Sequence, residues 1–324
     1  YIIDATDIAQ EIGLGNRINM IMQSAFFKLS KVIPLDDAVK YMKEAIKKTY
    51  GKKGEKIVNM NYEAVDKGIE ALQKVEVPAS WKDAVDTADV VKAQEPDFIK
   101  NILRVVNRQE GDSIPVSAFV GSEDGTFPQG TAAYEKRGIA VNVPEWQKDN
   151  CIQCNQCSYV CPHAAIRPVL LDKKEAGKTS ADFETIQAKG KGMDELNYRI
   201  QVSTLDCTGC GNCANVCPAK EKALIMQPLD SQEKQLANWE FAATVSVKDN
   251  VMPCRTVKGS QFKKPLFEFS GAMAGSGETP YAKLITQLYG DRMIIANATG
   301  CSSIWGGSAP STPYTVNSKG QGPA

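Results

Sequence analysis

Cys151-Ile-Gln-Cys154-Asn-Gln-Cys157-Ser-Tyr-Val-Cys161-Pro162 decides how this chain is read, and its pattern returns as Cys207-Thr-Gly-Cys210-Gly-Asn-Cys213-Ala-Asn-Val-Cys217-Pro218. Both copies read C-x-x-C-x-x-C-x-x-x-C-P, a spacing that closes three thiolates on one face of a cubane iron–sulfur cluster. The fourth cysteine comes after a short helical turn stopped by proline, and it points elsewhere.

In this bacterial ferredoxin run the fourth thiolate of each copy serves the other cluster. The expected sets are Cys151, Cys154, Cys157 and Cys217 for cluster 1, and Cys207, Cys210, Cys213 and Cys161 for cluster 2. Structural zinc also takes paired C-x-x-C, but it needs four ligands per ion and leaves the third cysteine and the proline stop unexplained. Ten cysteines in 324 residues, eight of them in two tight runs, do not make a disulfide scaffold. Reduced thiolates imply a cytoplasmic setting in an anaerobic cell or organelle.

Working outward, Lys plus Arg equals Asp plus Glu at 38 each. A chain without excess charge offers no broad surface for nucleic acid or anionic membrane. No apolar run is long enough to span a bilayer. Upstream, apolar residues recur at helical spacing in three stretches. The first carries Ile18, Ile21, Met22, Phe26 and Leu29 on a buried face. The second starts near Asp36 with Ala38, Met42 and Ile46 inward. The third runs from about Glu55 to Lys74 with Val58, Val65 and Ile69. Gly13-Leu-Gly15 reads as a turn, because Ile18 stands where a dinucleotide fingerprint needs its third glycine. The lysines from 47 to 56 read as a solvated helix end.

From Ser80 to about Gly130 a connector is expected, with a helix beginning at Pro96 and an extended strand over Ser113-Ile-Pro-Val-Ser-Ala-Phe-Val. A strand also leads from Tyr134 toward Trp146. Between the cysteine runs, Arg167-Pro-Val-Leu-Leu and Tyr198-Arg-Ile-Gln-Val bound an insertion longer than a minimal two-cluster protein needs. His163, the single histidine, reads as packing or exposure after the motif. Downstream come a helix from Gln232 to Ala243, a buried thiol at Cys254, and a glycine-rich loop from Ser270. Thr279 is expected to cap a helix begun by Pro280, Arg292 to Cys301 is expected to be a strand entering a loop, and the tail from Gly306 ends without a closing element.

The chain resembles an internal piece of pyruvate:ferredoxin (flavodoxin) oxidoreductase, a thiamine-dependent 2-oxoacid oxidoreductase. The resemblance runs nearly end to end. It rests on Gly13-Leu-Gly15-Asn-Arg-Ile-Asn-Met-Ile-Met-Gln, Tyr50-Gly-Lys-Lys-Gly, Tyr134-Glu-Lys-Arg-Gly-Ile-Ala-Val, both cysteine motifs, Gly277-Glu-Thr-Pro-Tyr and Asn297-Ala-Thr-Gly-Cys-Ser-Ser-Ile-Trp-Gly. It implies a multidomain α/β plus α+β protein. Residues 1–87 would end a gamma-like domain, 88–127 would connect, 128–246 would form a two-cluster ferredoxin-type domain, and 247–324 would begin a truncated thiamine diphosphate domain.

For the whole enzyme the resemblance implies pyruvate, coenzyme A, thiamine diphosphate, Mg2+ and a third [4Fe–4S] cluster. It also implies ferredoxin or flavodoxin as acceptor, a homodimer, and the rest of the polypeptide as this section's partner. Glu278 and Cys301 match positions that touch thiamine diphosphate, and Cys301 matches a ligand of the third, proximal cluster. Met273 and Ser276 stand where two more of that cluster's cysteines are expected, and a thioether and a neutral hydroxyl are weak iron ligands. This chain alone is therefore expected to carry two clusters, without turnover of its own. Two other functions are compatible with the residues: a free two-cluster electron carrier, and a structural remnant without redox chemistry.

Overall fold

The computed structural model describes residues 1–83 and 95–324. It divides into two compact units, Tyr1–Val91 and Lys92–Ala324. Part of the expected connector, including its polar stretch up to Gln94, lies outside the described residues.

The first unit is helical, with α1 (Ala5–Ile12), α2 (Asn19–Ser30), α3 (Leu35–Tyr50) and α4 (Glu55–Glu70). Asp4 caps α1 through its side chain, and Gly13, at a φ of 86°, ends it in the left-handed conformation that glycine adopts without strain. Ile21, Ala64, Ala9 and Leu14 form one apolar cluster, and Met42, Ile46, Val58 and Val65 another. The closest packing is between α2 and α4, where Gly68 lies against Ile21 and Ser24. The expectation of a buried α2 face holds only for the side carrying Ile21, Ser24 and Ala25. Met22, Phe26 and Leu29 are exposed, because α4 packs on the side of α2 that carries Ile21 and Ser24.

The second unit opens with a wide helical turn, Ile99–Leu103, that continues as α5 (Arg104–Asn107). The strand expected from Ser113 is absent: Gly111–Ser113 and Val116–Phe119 are short 3-10 turns. Pro115 removes a donor from the middle of the segment, no strand among the described residues pairs with it, and Val116 is 89% exposed.

The centre is built twice from strand, cysteine run and strand. β1 (Asn142–Trp146) leads into the first motif and β2 (Ile166–Leu171) leaves it; β4 (Asn197–Val202) leads into the second and β5 (Leu224–Pro228) leaves it. The copies interlock, because β1 pairs antiparallel with β5 and β2 with β4. β3 (Ile186–Gln187) adds to the far side of β4, leaving β2 as an edge where Pro168 costs no ladder bond. Short helices α6 (Gln156–Tyr159) and α8 (Asn212–Val216) lie within the motifs, and α7 (Lys173–Ala176) opens the insertion. Helix α9 (Lys234–Thr244) covers β4 through buried Arg199, which bonds Gln201, Gln235 and the Glu184 carbonyl and stacks on Phe183 and Trp146.

The insertion is tied down by Glu175, which accepts from the Ser246 amide and hydroxyl and from Lys248. Burial alone would raise its carboxyl, but the Lys248 ammonium, Ser246 and the Asp172 amide outweigh it and hold it at about 2. A carboxyl held low in the folded state stabilises above its unfolded pKa, roughly 4.3, and that contribution is lost as pH falls through about 2. Glu175→Gln is expected to lower the unfolding temperature at pH 7. The gap to the parent should narrow steadily as thermal unfolding is followed from pH 5 downward.

The last part holds α10 (Val257–Ser260), α11 (Thr279–Tyr289) and α12 (Cys301–Gly307). Residues 293–300 form no strand, although Ile295 and Met293 bond the backbone of Ala324. The tail is a closing element after all: Thr312 and Tyr314 bond the backbone of residues 130–132, and Pro313 and Thr315 bond that of Glu268 and Leu266. Among the described residues, 247–324 contain no strand beyond the isolated bridge Phe267–Tyr314. The coarser expectation of mixed helical and small-sheet architecture holds. No helix of the described residues is long and apolar enough to cross a membrane.

Candidate iron–sulfur sites

The interlocked pairing draws the eight motif cysteines to two cavities. Cys151, Cys154, Cys157 and Cys217 line one, with Trp146, Tyr198 and Ile200. Cys161, Cys207, Cys210 and Cys213 line the other, with Pro144, Ile166 and Val202. Each cavity thus takes three thiols from one run and the fourth from the other. Among the described residues no three His, Cys, Asp or Glu side chains are gathered tightly enough to hold a single metal ion. The thiols stand around a space instead, as corners of a cluster would require.

The local backbone explains how so short a run curls around its cavity. Gly209 and Gly211 have φ values of 67° and 76°, and at the same two places in the first motif Gln153 and Asn155 have 59° and 61°. Glycine adopts these values freely; Gln153 and Asn155 do not and must be held. Gln153 donates to the Gln187 carbonyl at 2.7 Å and accepts from the Lys189 amide at 2.7 Å. Asn155 donates to the Lys258 carbonyl at 2.9 Å and accepts from the Tyr198 hydroxyl at 2.7 Å. The insertion and the C-terminal segment therefore brace the first motif where the second relies on glycine.

Burial drives the thiols of Cys157 and Cys213 upward, reinforced by Cys151 and Cys154 around the first and by Cys161 and Cys207 around the second. Cys207 is likewise pushed up by burial to about 12, against a lowering contact from the Gly209 amide. Cys157, Cys207 and Cys213 therefore resist ionisation until a cationic metal is present, and four thiols around one cavity are a donor set that fits a metal cluster. Amides already face the sulfurs: Gly209 N–H donates to Cys207 Sγ at 3.4 Å and Ala223 N–H to Cys217 Sγ at 3.5 Å.

Residues outside the motifs complete the second site. Lys136 pairs with buried Asp206 beside Cys207 and sits 4.9 Å from the centre of the Phe269 ring. Its neighbour Arg137 reaches the Ser270 carbonyl at 3.5 Å. His163 is buried, its Nδ1 bonded to the same carbonyl at 3.1 Å. Burial pushes its imidazole pKa down. Lys283 is also buried against the end of α6. The sequence reading missed Gln153, Asn155, Lys136, Asp206 and Lys283. The first two could have been found by aligning the motifs, since they occupy the positions of Gly209 and Gly211.

The other expected site residues stand apart from the cysteine cavities. Met273 is exposed, and Gly275 of the same loop lies near Cys210 and Asn212. Thr279 does not cap α11. It lies inside the first turn with its hydroxyl buried and unbonded, and Ser276 Oγ instead accepts from the Glu278 and Thr279 amides at 3.4 Å. A residue already in helical conformation cannot turn its side chain back onto the free amides. Glu278 is exposed just before α11, and Cys301 is exposed at the start of α12. Cys254, expected to be buried, is exposed; it falls in a turn ahead of α10, outside any regular element that would press it into a core.

Two four-thiol cavities on an interlocked double motif define a double-cluster iron–sulfur protein. Accordingly, the profile described as a 4Fe-4S double cluster binding domain matches residues 150–220. The profile described as pyruvate ferredoxin/flavodoxin oxidoreductase matches residues 1–71, and EKR, a domain of unknown function, matches residues 85–140. Over its whole length the chain is 63% identical to a pyruvate:ferredoxin oxidoreductase of Moorella thermoacetica. It is 61% and 55% identical to pyruvate-flavodoxin oxidoreductases of Enterobacter agglomerans and Klebsiella pneumoniae. From end to end the chain thus corresponds to an internal region of pyruvate:ferredoxin/flavodoxin oxidoreductases. It spans 27 to 28% of the length of these relatives.

Proposed function

We propose that this chain is the electron-relay section of a 2-oxoacid oxidoreductase that converts pyruvate and coenzyme A to acetyl-CoA and carbon dioxide and delivers the electrons to ferredoxin or flavodoxin. The observation that carries it is the pair of cavities, each edged by four thiols drawn from both motifs. Cys151, Cys154, Cys157 and Cys217 would hold one cluster, and Cys207, Cys210, Cys213 and Cys161 the other. When bound, such clusters take up and release single electrons with little change in shape. The chain's own part is to keep water from the sulfurs with Trp146, Tyr198, Ile166 and Val202, and to direct amides at them.

Thiamine diphosphate, Mg2+ and a third cluster belong to the whole enzyme in this reading. Glu278 and Cys301 are the residues this section would offer them. The division at 87, 127 and 246, a second copy of the polypeptide as partner, and an oxygen-poor cytoplasm are parts of the same proposal. A free two-cluster carrier is less well supported, since the relatives carry this region within much longer polypeptides.

Anaerobic reconstitution followed by iron and sulfide analysis and electron paramagnetic resonance tests the reading. Two interacting reduced [4Fe–4S] centres, about eight irons per chain, are expected. Zinc or no metal would refute it, and a third centre would refute the inert reading of Met273 and Ser276.

A further inference from the structure

Lys283 on α11 is 1% exposed. Its ammonium donates to the carbonyls of Ser158, Tyr159 (3.1 Å) and Cys161 (3.2 Å) at the end of α6. An ammonium has three donors and a neutral amine only two, so three carbonyls in one cradle select the charged form. Among the described residues no carboxylate pairs with it. Two of its carbonyl partners tie it to both sites: Ser158 directly follows Cys157, which lines one cavity, and Cys161 lines the other.

Docking of α11 onto α6 does not require this charge. Ser158 bonds Gln261 at 2.9 Å, Gln261 bonds Gln287 at 3.1 Å, and Gln287 reaches the Lys263 carbonyl at 2.9 Å. That neutral network already ties the segments together. A buried, unpaired charge is costly, and a methionine of similar length would fill the same space without the cost. The carbonyls of α6 satisfy the ammonium's donors but do not cancel its charge. The anions still to be added at this place are the clusters themselves, each of which gains a further negative charge when it accepts an electron.

We infer that Lys283 is a fixed counter-charge shared by the two cluster sites, stabilising the reduced form of each and positioned by the carbonyl cradle at the end of α6. The inference rests on the two-cluster reading of the cavities. It makes Lys283 a positioning and tuning residue, with no contact to substrate.

The test is a dithionite redox titration of the reconstituted chain and its Lys283→Met and Lys283→Gln variants, followed by electron paramagnetic resonance, with iron counted in each. The expected result is unchanged iron and a lower midpoint for both centres. The reduced-to-oxidised ratio at a fixed potential should fall about tenfold, equivalent to about 59 mV for one electron. Full iron with unmoved midpoints would overturn the inference, as would a shift confined to one centre. Loss of iron from both variants would make Lys283 a structural strut and overturn it as well. If the parent chain itself fails to show two centres, the relay reading is what has failed, and the parent's iron count reveals that before any variant is compared.

Discussion

Replacing Cys217 with alanine is expected to erase the same paramagnetic centre as replacing Cys151, although the two cysteines lie in different motifs. Replacing Cys161 should erase the centre lost with Cys210. Each variant should retain about half the iron, because a cluster stripped of one of four thiolates in a dry cavity has no substitute ligand nearby. The assignment follows the cavities: Cys217 stands with Cys151, Cys154 and Cys157, and Cys161 stands with Cys207, Cys210 and Cys213. If each motif served its own cluster, Cys217→Ala would instead match Cys207→Ala. Comparing the four spectra separates the two arrangements.

Gly68→Ala is expected to destabilise the helical unit by about 3 kcal/mol, the upper end of the usual overpacking cost. A Cβ there would lie 2.3 Å from Ser24 Oγ, 2.5 Å from the Ile21 carbonyl oxygen and 2.9 Å from Ile21 Cα. Helix propensity favours alanine by about 1 kcal/mol, but two of those contacts are backbone of the neighbouring helix, which cannot rotate away. Sterics therefore win, and α2 must move off α4. Denaturant titration of the variant should show a clearly lower midpoint. A midpoint at or above the parent's would mean that the α2–α4 contact yields more easily than its geometry implies.

The centre of this protein was legible because its chemistry is local. Four cysteines at fixed spacing admit few geometries, and the proline after each run marks where the chain must leave. The strand from Tyr198 to Val202 could likewise be read ahead of the second motif, and the helices α3 and α4 from their spacing, whereas Arg167 to Leu171 was legible only as the start of an insertion. What escaped depends on partners distant in sequence. Ser113 to Val120 has the composition of a strand, but a strand exists only beside another, and Pro115 and the exposed Val116 show that none is there. Arg292 to Cys301 fails in the same way: Met293 and Ile295 bond the backbone of Ala324, a single residue where a strand would need a neighbour along its length. Lys283 sits on an amphipathic helix where a lysine is expected outside, and only the carbonyls of residues 158, 159 and 161 reveal why it is inside.

The interlocked cavities also set a schedule for biosynthesis. A ribosome that has just released the first cysteine run has made only three of the four thiols that line one cavity and one of the four that line the other. Neither can be sealed until the second run emerges, the insertion between them included. On the proposed ligand sets, metal loading of this segment would be a late, joint event, and a nascent chain stalled before residue 207 would complete neither site.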